Sequence, residues 1–352
     1  MASSKTKSVS KTMGARRILH VVRRMDVSGG AERLISELVR SVDGHRVLVF
    51  DGGESFYDLG LTPLRVRGYI HAVLWLLIHG RRFDVIHLHL FPAIYLSVFL
   101  GRRCVIHEHN TDNRRRKYPL FSVLERFVYR RARAVIAISV AAAESLERWV
   151  GVLPKLHVLP NFVPDLSQNV GGLESDCGLD SISGVHTHLV MVASLTSKKN
   201  HAFMLDVLAQ LPPNYLLHLV GDGPLRGELV NQAKALGIDS RVRFHGAVRN
   251  VARFYSFANL CVLTSSWEGF GLVAIEAAQF GVPTVVPDIA GLRDFLPDKR
   301  FIVHGRDPKE WAASIISLRT VALEGDIRTA YRNAARAFSI DAYLASLYAV
   351  YE

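Results

Sequence analysis

Two glutamates, Glu268 and Glu276, flank a glycine turn in the stretch Ser265-Ser266-Trp267-Glu268-Gly269-Phe270-Gly271-Leu272-Val273-Ala274-Ile275-Glu276. An apolar run, Leu260-Cys261-Val262-Leu263-Thr264, precedes them and reads as a buried strand. An Ala-rich helix follows and stops near Gly281-Val282-Pro283. Glycines let backbone come close to a ligand, and the first N–H groups of a helix have no internal partner. Such a turn suits a phosphate. A carboxylate beside it can accept hydrogen bonds from sugar hydroxyls. The plainer reading is a surface glutamate at a turn and a salt-bridged one on a helix. The strand-turn-helix context favours the chemical reading.

Other residues could do chemistry. His107-Glu108-His109-Asn110-Thr111 follows a strand, where ligands meet a parallel sheet. The plainer reading of His109 is a histidine hydrogen-bonded at a strand end. Strand alternation turns Glu108 the other way. His87 and His89 could form a metal set with His109, but no thiol or carboxylate cluster completes it. Core histidines are the preferred reading, and no metal site is expected. Arg114-Arg115-Arg116-Lys117 opens a basic stretch that runs to Arg133, with an apolar stripe of Phe121, Leu124, Phe127 and Val128. A basic amphipathic segment can lie on an anionic membrane. A core-packing helix with a solvated basic face has equal weight.

These residues need elements to hold them. Short apolar runs at 17–22, 46–50, 85–89, 104–107 and 134–139 read as strands, with helical spacing between them, as in Leu34, Ile35, Leu38 and Val39. The alternation restarts with strands at 189–193, 216–220, 242–245, 260–264 and 284–287. The pattern is that of a parallel sheet with helices on both faces. At 352 residues two domains are expected. The expected division is a disordered leader at 1–15, an N-terminal domain at 16–165, a Gly/Ser/Asp-rich linker at 166–185 and a C-terminal domain at 186–335. A final helix at 336–352 is expected to pack back toward the first domain. Two such halves should meet at a cleft formed by the C-terminal ends of their strands.

The net charge is +11, which points to an anionic partner: nucleotide, nucleic acid or acidic lipid. The three cysteines, Cys104, Cys177 and Cys261, show no CxxC spacing and read as reduced structural thiols of a cytosolic protein. No apolar run approaches the ~18 residues of a spanning helix. The polar, basic first dozen residues do not read as a secretion signal. The charge could serve nucleic acid, but no helix-turn-helix, zinc or RNA-binding signature is present.

The Glu268–Glu276 arrangement resembles the E-x7-E motif of the retaining glycosyltransferases of family 4, whose GT-B fold has two facing Rossmann-like domains. The resemblance covers nearly the whole chain after the leader. It implies that Glu268 lies near the donor sugar, that Glu276 binds the nucleotide ribose, and that the amides of Gly269, Phe270, Gly271 and Leu272 face sugar and diphosphate. Val192-Ala193-Ser194-Leu195-Thr196-Ser197-Lys198-Lys199-Asn200-His201 is similar to the family segment that carries a phosphate-binding Arg and Lys. Lys199 matches the Lys, with Lys198 as the alternative register. A fixed cation there would neutralise the leaving diphosphate. Ser194 stands at the Arg position, a departure for which Arg293 is one substitute. Gly221-Asp222-Gly223-Pro224 resembles the GDGP turn, and the segment His245 to Val248 resembles the one that contacts the base. Ser28-Gly29-Gly30-Ala31-Glu32 resembles the first glycine loop, and His109 the active-site histidine.

The resemblance implies a transferase moving a sugar from a nucleotide sugar, a UDP-sugar ahead of GDP-mannose, to a glycan or polyprenyl-diphosphate-linked acceptor. The chain has no Asp-x-Asp, which favours metal-independent transfer without a cofactor. The expected location is cytoplasmic, peripheral on the inner face of the membrane. Two alternatives stay open: a nucleotide-sugar epimerase of the same fold, and a noncatalytic basic protein bound to membrane or nucleic acid. No GxGxxG follows the first strand, which disfavours a dehydrogenase.

Overall fold

In the computed structural model, residues 16–27, 29–109, 114–166, 186–248, 250–293 and 296–352 are described. The expected leader, Ser28, Asn110, Thr111, Cys177 and nearly all of the expected linker lie outside them. The chain divides into two units. One is Met1–Phe162 with Ile340–Glu352, and the other is Val163–Ser339.

The first unit holds a parallel sheet in the order β3-β2-β1-β4-β5-β6-β7. Its strands are β1 (Ile18–Val22), β2 (His45–Val49), β3 (Leu64–Arg65), β4 (Val85–His89), β5 (Cys104–Glu108), β6 (Ala134–Ala137) and β7 (Leu156–Val158). The helices are α1 (Gly30–Ser41), α2 (Gly68–His79), α3 (Ser97–Leu100), α4 (Leu120–Arg131) and α5 (Val140–Val150). Every residue of β1, β4 and β5 is buried. Strands covered on both faces read as unbroken apolar runs, as these do.

Alternate residues of each strand feed two different cores. Leu19, Leu88, Ile106 and Val135 pack with α2, α4 and α5. Ile18, Val85, Val105 and Ile136 pack with Leu34 and Leu38 of α1. The second core is closed by the last helix of the chain, α12 (Ile340–Tyr351), through Tyr343, Leu344, Leu347, Tyr348 and Tyr351. That helix starts at Ile340, four residues later than the expected 336. Arg336 ends the preceding helix, and residues 337–339 turn between the two.

The second unit has the order β10-β9-β8-β11-β12-β13. Its strands are β8 (Thr187–Val192), β9 (Tyr215–Val220), β10 (Val242–Gly246), β11 (Leu260–Val262), β12 (Thr284–Pro287) and β13 (Ile302–Val303). Between and after them run α6 (His201–Gln210), α7 (Arg226–Ala235), α8 (Ala252–Phe257), α9 (Leu272–Gln279), α10 (Pro308–Val321) and α11 (Gly325–Arg336). Helix α10 begins on Asp307, whose carboxylate accepts from the Lys309 amide, with Pro308 in the first turn.

Three histidines fall on the neighbouring strands β8, β9 and β10 of this sheet. His188 Nδ1 lies 3.1 Å from His218 Nε2, and His218 Nδ1 lies 3.0 Å from His245 Nε2. Burial first, then the charges of His245, His188 and Arg243, push the His218 pKa down to about 3. A depressed histidine stabilises the fold above its unfolded value near 6.5, and that stability is lost as pH falls below it. Between pH 8 and pH 5 the loss for one such group is about 2 kcal/mol. Unfolding midpoints in urea should therefore fall across this window, and fall by less in His218→Leu. Parallel profiles for the two proteins would contradict the assignment.

Candidate functional site

Strand order decides where a ligand can enter each sheet. In the second unit β8 and β11 are neighbours, yet the chain leaves them in opposite directions, toward β9 and toward β12. The loops after these two strands diverge at a topological switch point, where open α/β sheets bind ligands. Lys199 lies on the loop after β8 and Glu268 on the loop after β11. Lys199 Nζ donates to Glu268 Oε1 in a partly buried ion pair. Ser265 Oγ donates to the same oxygen at 2.8 Å.

The two loops are stitched along their backbones as well. Thr264 Oγ1 donates to the carbonyls of Lys199 (3.2 Å) and Asn200 (2.9 Å), and the Ser266 amide donates to Lys198 O at 2.9 Å. Lys198 points elsewhere, with its ammonium 3.5 Å from the centroid of the Trp267 ring. Lys199, and not its neighbour, thus meets the carboxylate.

Gly271 precedes α9 at φ +69°, a left-handed conformation that disfavours side chains. No side chain caps this helix start. The Phe270 side chain is buried and packs edge-on against Phe338 at 5.6 Å, so this residue faces a ligand only through its backbone. Glu276, 2% exposed, accepts a 3.0 Å hydrogen bond from Tyr255 Oη. Gly221 sits at φ +141°, where a Cβ would lie 2.0 Å from Ala193 O. Packing of adjacent strand ends alone therefore demands this glycine. Val248 packs against the core cluster that contains Val190 and Val220, and Ser194 is exposed. Arg293 is paired with Asp288 at 3.1 Å. Arg306, which carries no motif in the sequence, donates to Ser265 O at 3.2 Å and so reaches this loop.

In the first unit Gly29 and Gly30 lead into α1 after β1. His109 follows β5, and its Nε2 lies 3.0 Å from His89 Nδ1. The contact continues through His89 Nε2 to His20 Nδ1 (3.0 Å), His20 Nε2 to His45 Nδ1 (2.9 Å), and His45 Nε2 to Tyr348 Oη (3.0 Å). Burial lowers the pKa of each of these four hydrogen-bonded histidines, His109 to about 3 and His45 to about 4. All four are neutral at pH 7, so the proton of each bond passes in one direction along the chain. His87 Nδ1 bonds Tyr351 Oη at 2.7 Å. Both nitrogens of His107, Nε2 of His87 and Nδ1 of His109 find no partner among the described residues. Glu108 points to the opposite core, where Tyr129 Oη donates to it.

The basic stretch differs from its expected form. Arg115 Nε pairs with the buried carboxylate of Glu125 at 2.5 Å, and its guanidinium lies 4.5 Å from the centroid of the Phe91 ring. Glu125 also accepts from Tyr95 Oη (2.9 Å) and Trp149 Nε1 (2.8 Å). Arg116 donates to Ser145 Oγ at 2.6 Å. These two arginines bind their own unit and do not form an open basic surface. Lys117 is exposed, and the Arg114 side chain lies outside the description. Of the expected stripe only Val128 is buried; Phe121 (36%), Leu124 (46%) and Phe127 (51%) face outward, as do Leu120 and Val123 beside them.

Two doubly wound parallel-sheet units, one with a cation–carboxylate pair at its switch point, define an α/β protein of the GT-B class. Residues 28–165 match the model of Glycosyltransferase Family 4, and residues 185–338 match that of Glycosyl transferases group 1. The chain belongs to glycosyltransferase family 4. It is 26% identical over 312 residues to EpsF of Bacillus subtilis (strain 168), a glycosyltransferase by name, covering 78% of this chain and 79% of that one. It is 26% identical over 211 residues to the N-acetylgalactosamine-N,N'-diacetylbacillosaminyl-diphospho-undecaprenol 4-alpha-N-acetylgalactosaminyltransferase of Campylobacter jejuni, covering 59% and 56%. The fold is similar to that of Anabaena HepE, solved in complex with UDP and glucose, with TM-score 0.79, 21% identity and coverage of 95% and 98%. No helix among the described residues is long and apolar enough to cross a membrane.

Proposed function

We propose that this glycosyltransferase is a retaining enzyme that takes its donor, a UDP-sugar ahead of GDP-mannose, in the second unit. The observation that carries the reading is the Lys199–Glu268 pair at the β8/β11 switch point, beside the glycine-led start of α9. A cation fixed by a carboxylate is preorganised to receive charge that develops on a leaving diphosphate. The Gly269-to-Leu272 amides and Arg306 would add to it, with Arg306 doing what Ser194 cannot. Glu268 would orient the sugar and Glu276, held by Tyr255, the ribose. By the family resemblance His109 would contact the donor sugar, and the Gly29–Gly30 loop would serve the acceptor. With no Asp-x-Asp in the chain, Lys199, Arg306 and main-chain dipoles would do the work of a bridging metal. The leaving phosphate would take the acceptor proton, and the new bond would form on the face from which the nucleotide departs.

A lipid-linked acceptor fits the surface of α4. Leu120, Val123 and Phe127 are exposed beside Lys117, Arg126, Arg130 and Arg131. An apolar face bordered by cations suits the interface of an anionic membrane. The Campylobacter relative carries diphospho-undecaprenol in its name, which supports the same class of acceptor. The reading places the enzyme in polysaccharide or glycoconjugate assembly, peripheral on the cytoplasmic face of a membrane.

Incubation with a panel of nucleotide sugars and a membrane extract should release nucleoside diphosphate. Lys199→Ala and Glu276→Ala should each cut that release by roughly 100-fold or more while the protein stays folded. Full turnover in both variants would sink the site, and an isomerised nucleotide sugar without transfer would mean an epimerase. On anionic liposomes the protein should float, and Val123→Glu with Phe127→Glu should keep it at the bottom of the gradient. Equal flotation of the double variant would remove α4 from the membrane contact.

A further inference from the structure

The histidines of the first unit are more than the transfer needs. Six of them, His20, His45, His87, His89, His107 and His109, come from β1, β2, β4, β5 and the residue just after β5. In a parallel sheet with side-chain period two, His20 pairs with His87, and His89 with His107, so the rings fall on one face. His107 and His109 stack at 4.1 Å, and His87 and His107 at 5.2 Å. Burying an imidazole with both nitrogens unpartnered is costly, yet His107 is fully buried and has no hydrogen-bond partner among the described residues. A group that accepts lone pairs from several imidazoles at once would satisfy this arrangement.

We propose that His89, His107 and His109 form a binding site for a zinc-class divalent ion. Their ligating nitrogens all lie within 4.8 Å of one another. Tetrahedral zinc holds its imidazole nitrogens at about 2.0 Å, which sets them roughly 3.4 Å apart, so small ring movements suffice. The three are neutral at pH 7 because burial lowers each pKa, and the neutral ring is the form that ligates. The ion would take the place of the proton between His89 Nδ1 and His109 Nε2. The other nitrogen of His89 would then donate to His20, His20 to His45, and His45 to Tyr348 Oη. A hydrogen-bonded outer shell of this kind fixes the tautomer of a metal-bound histidine.

Three imidazoles with no carboxylate leave a fourth position open, and they select zinc, copper or nickel over magnesium. His20, His87 and His89 form a second close group, but all three are fully buried, while His109 is partly exposed at the strand end and offers entry. Bound there, the ion would withdraw His109 from the transfer and inhibit it. That consequence rests on the proposed role of His109; the binding does not.

The test is titration of the full, untagged chain with Co2+, which shows intense visible bands when bound tetrahedrally. One equivalent should give those bands, and Zn2+ should displace it. His107→Leu should weaken binding by on the order of 100-fold, while His218→Leu should leave it unchanged. If His107→Leu does not fold, X-ray absorption at the zinc edge of the loaded wild-type protein should show three imidazole ligands. Absence of tetrahedral bands in the wild type, bands that survive His107→Leu, or an edge spectrum without the imidazole set would each overturn the site. Loss of turnover in Lys199→Ala with Co2+ binding intact would keep the two readings apart.

Discussion

The second unit depends on one contact between two loops. Lys199 and Glu268 come from the loops after β8 and β11, which run apart at the switch point, and their charges hold those loop ends together. Each charge is partly buried, so removing one would leave the other poorly compensated. Ser265 adds a hydrogen bond to the same carboxylate oxygen, and Thr264 ties the lysine's own backbone. The pair therefore sets geometry and electrostatics together. It fixes a cation at the switch point, in the loops that lead to the start of α9.

The first unit is built on a different device. Its inner face carries neutral imidazoles instead of a paired charge, and it is closed by a helix from the far end of the chain. Tyr348 and Tyr351 of α12 terminate the contacts of His45 and His87. The chain thus returns to its first unit after completing the second, and the hydroxyls it brings pair with His45 Nε2 and His87 Nδ1. Neutrality is maintained first by burial, with the charges of neighbouring histidines adding to it at His20 and His89, and no carboxylate among the described residues is bonded to a ring in the series from Tyr348 to His109.

Much of this was legible in the sequence. Buried parallel strands leave unbroken apolar runs, so β1, β4, β5, β8, β9 and β12 could be placed from their residues. The two-residue strands β3 and β13 carry no periodic signal. Helix α11 was passed over because it buries few apolar side chains, Tyr331 and Ala335 among them. Helix α10 did carry a signal in Trp311, Ile315 and Leu318, and it went unread. At the site, Glu268 and Lys199 stand out by type and position. Ser265, Tyr255 and Arg306 do not, since their roles arise from strand order and not from spacing. The same limit explains Arg115 and Arg116: a run of four cations looks like an open surface until Glu125 and Ser145 are placed beside it. The histidine cluster was dismissed for want of a thiol or carboxylate, and only the register of four neighbouring strands shows how many rings share one face.

The central claim is that the second unit's switch point binds the diphosphate of a nucleotide-sugar donor. Calorimetric titration of UDP into the wild-type protein and into Lys199→Met tests it most directly, because it reads the nucleotide without needing the acceptor. The account predicts one site per chain in the wild type and an affinity at least about tenfold weaker in the variant, the loss of more than ~1.4 kcal/mol of binding free energy. UDP binding of equal strength in both proteins would contradict it.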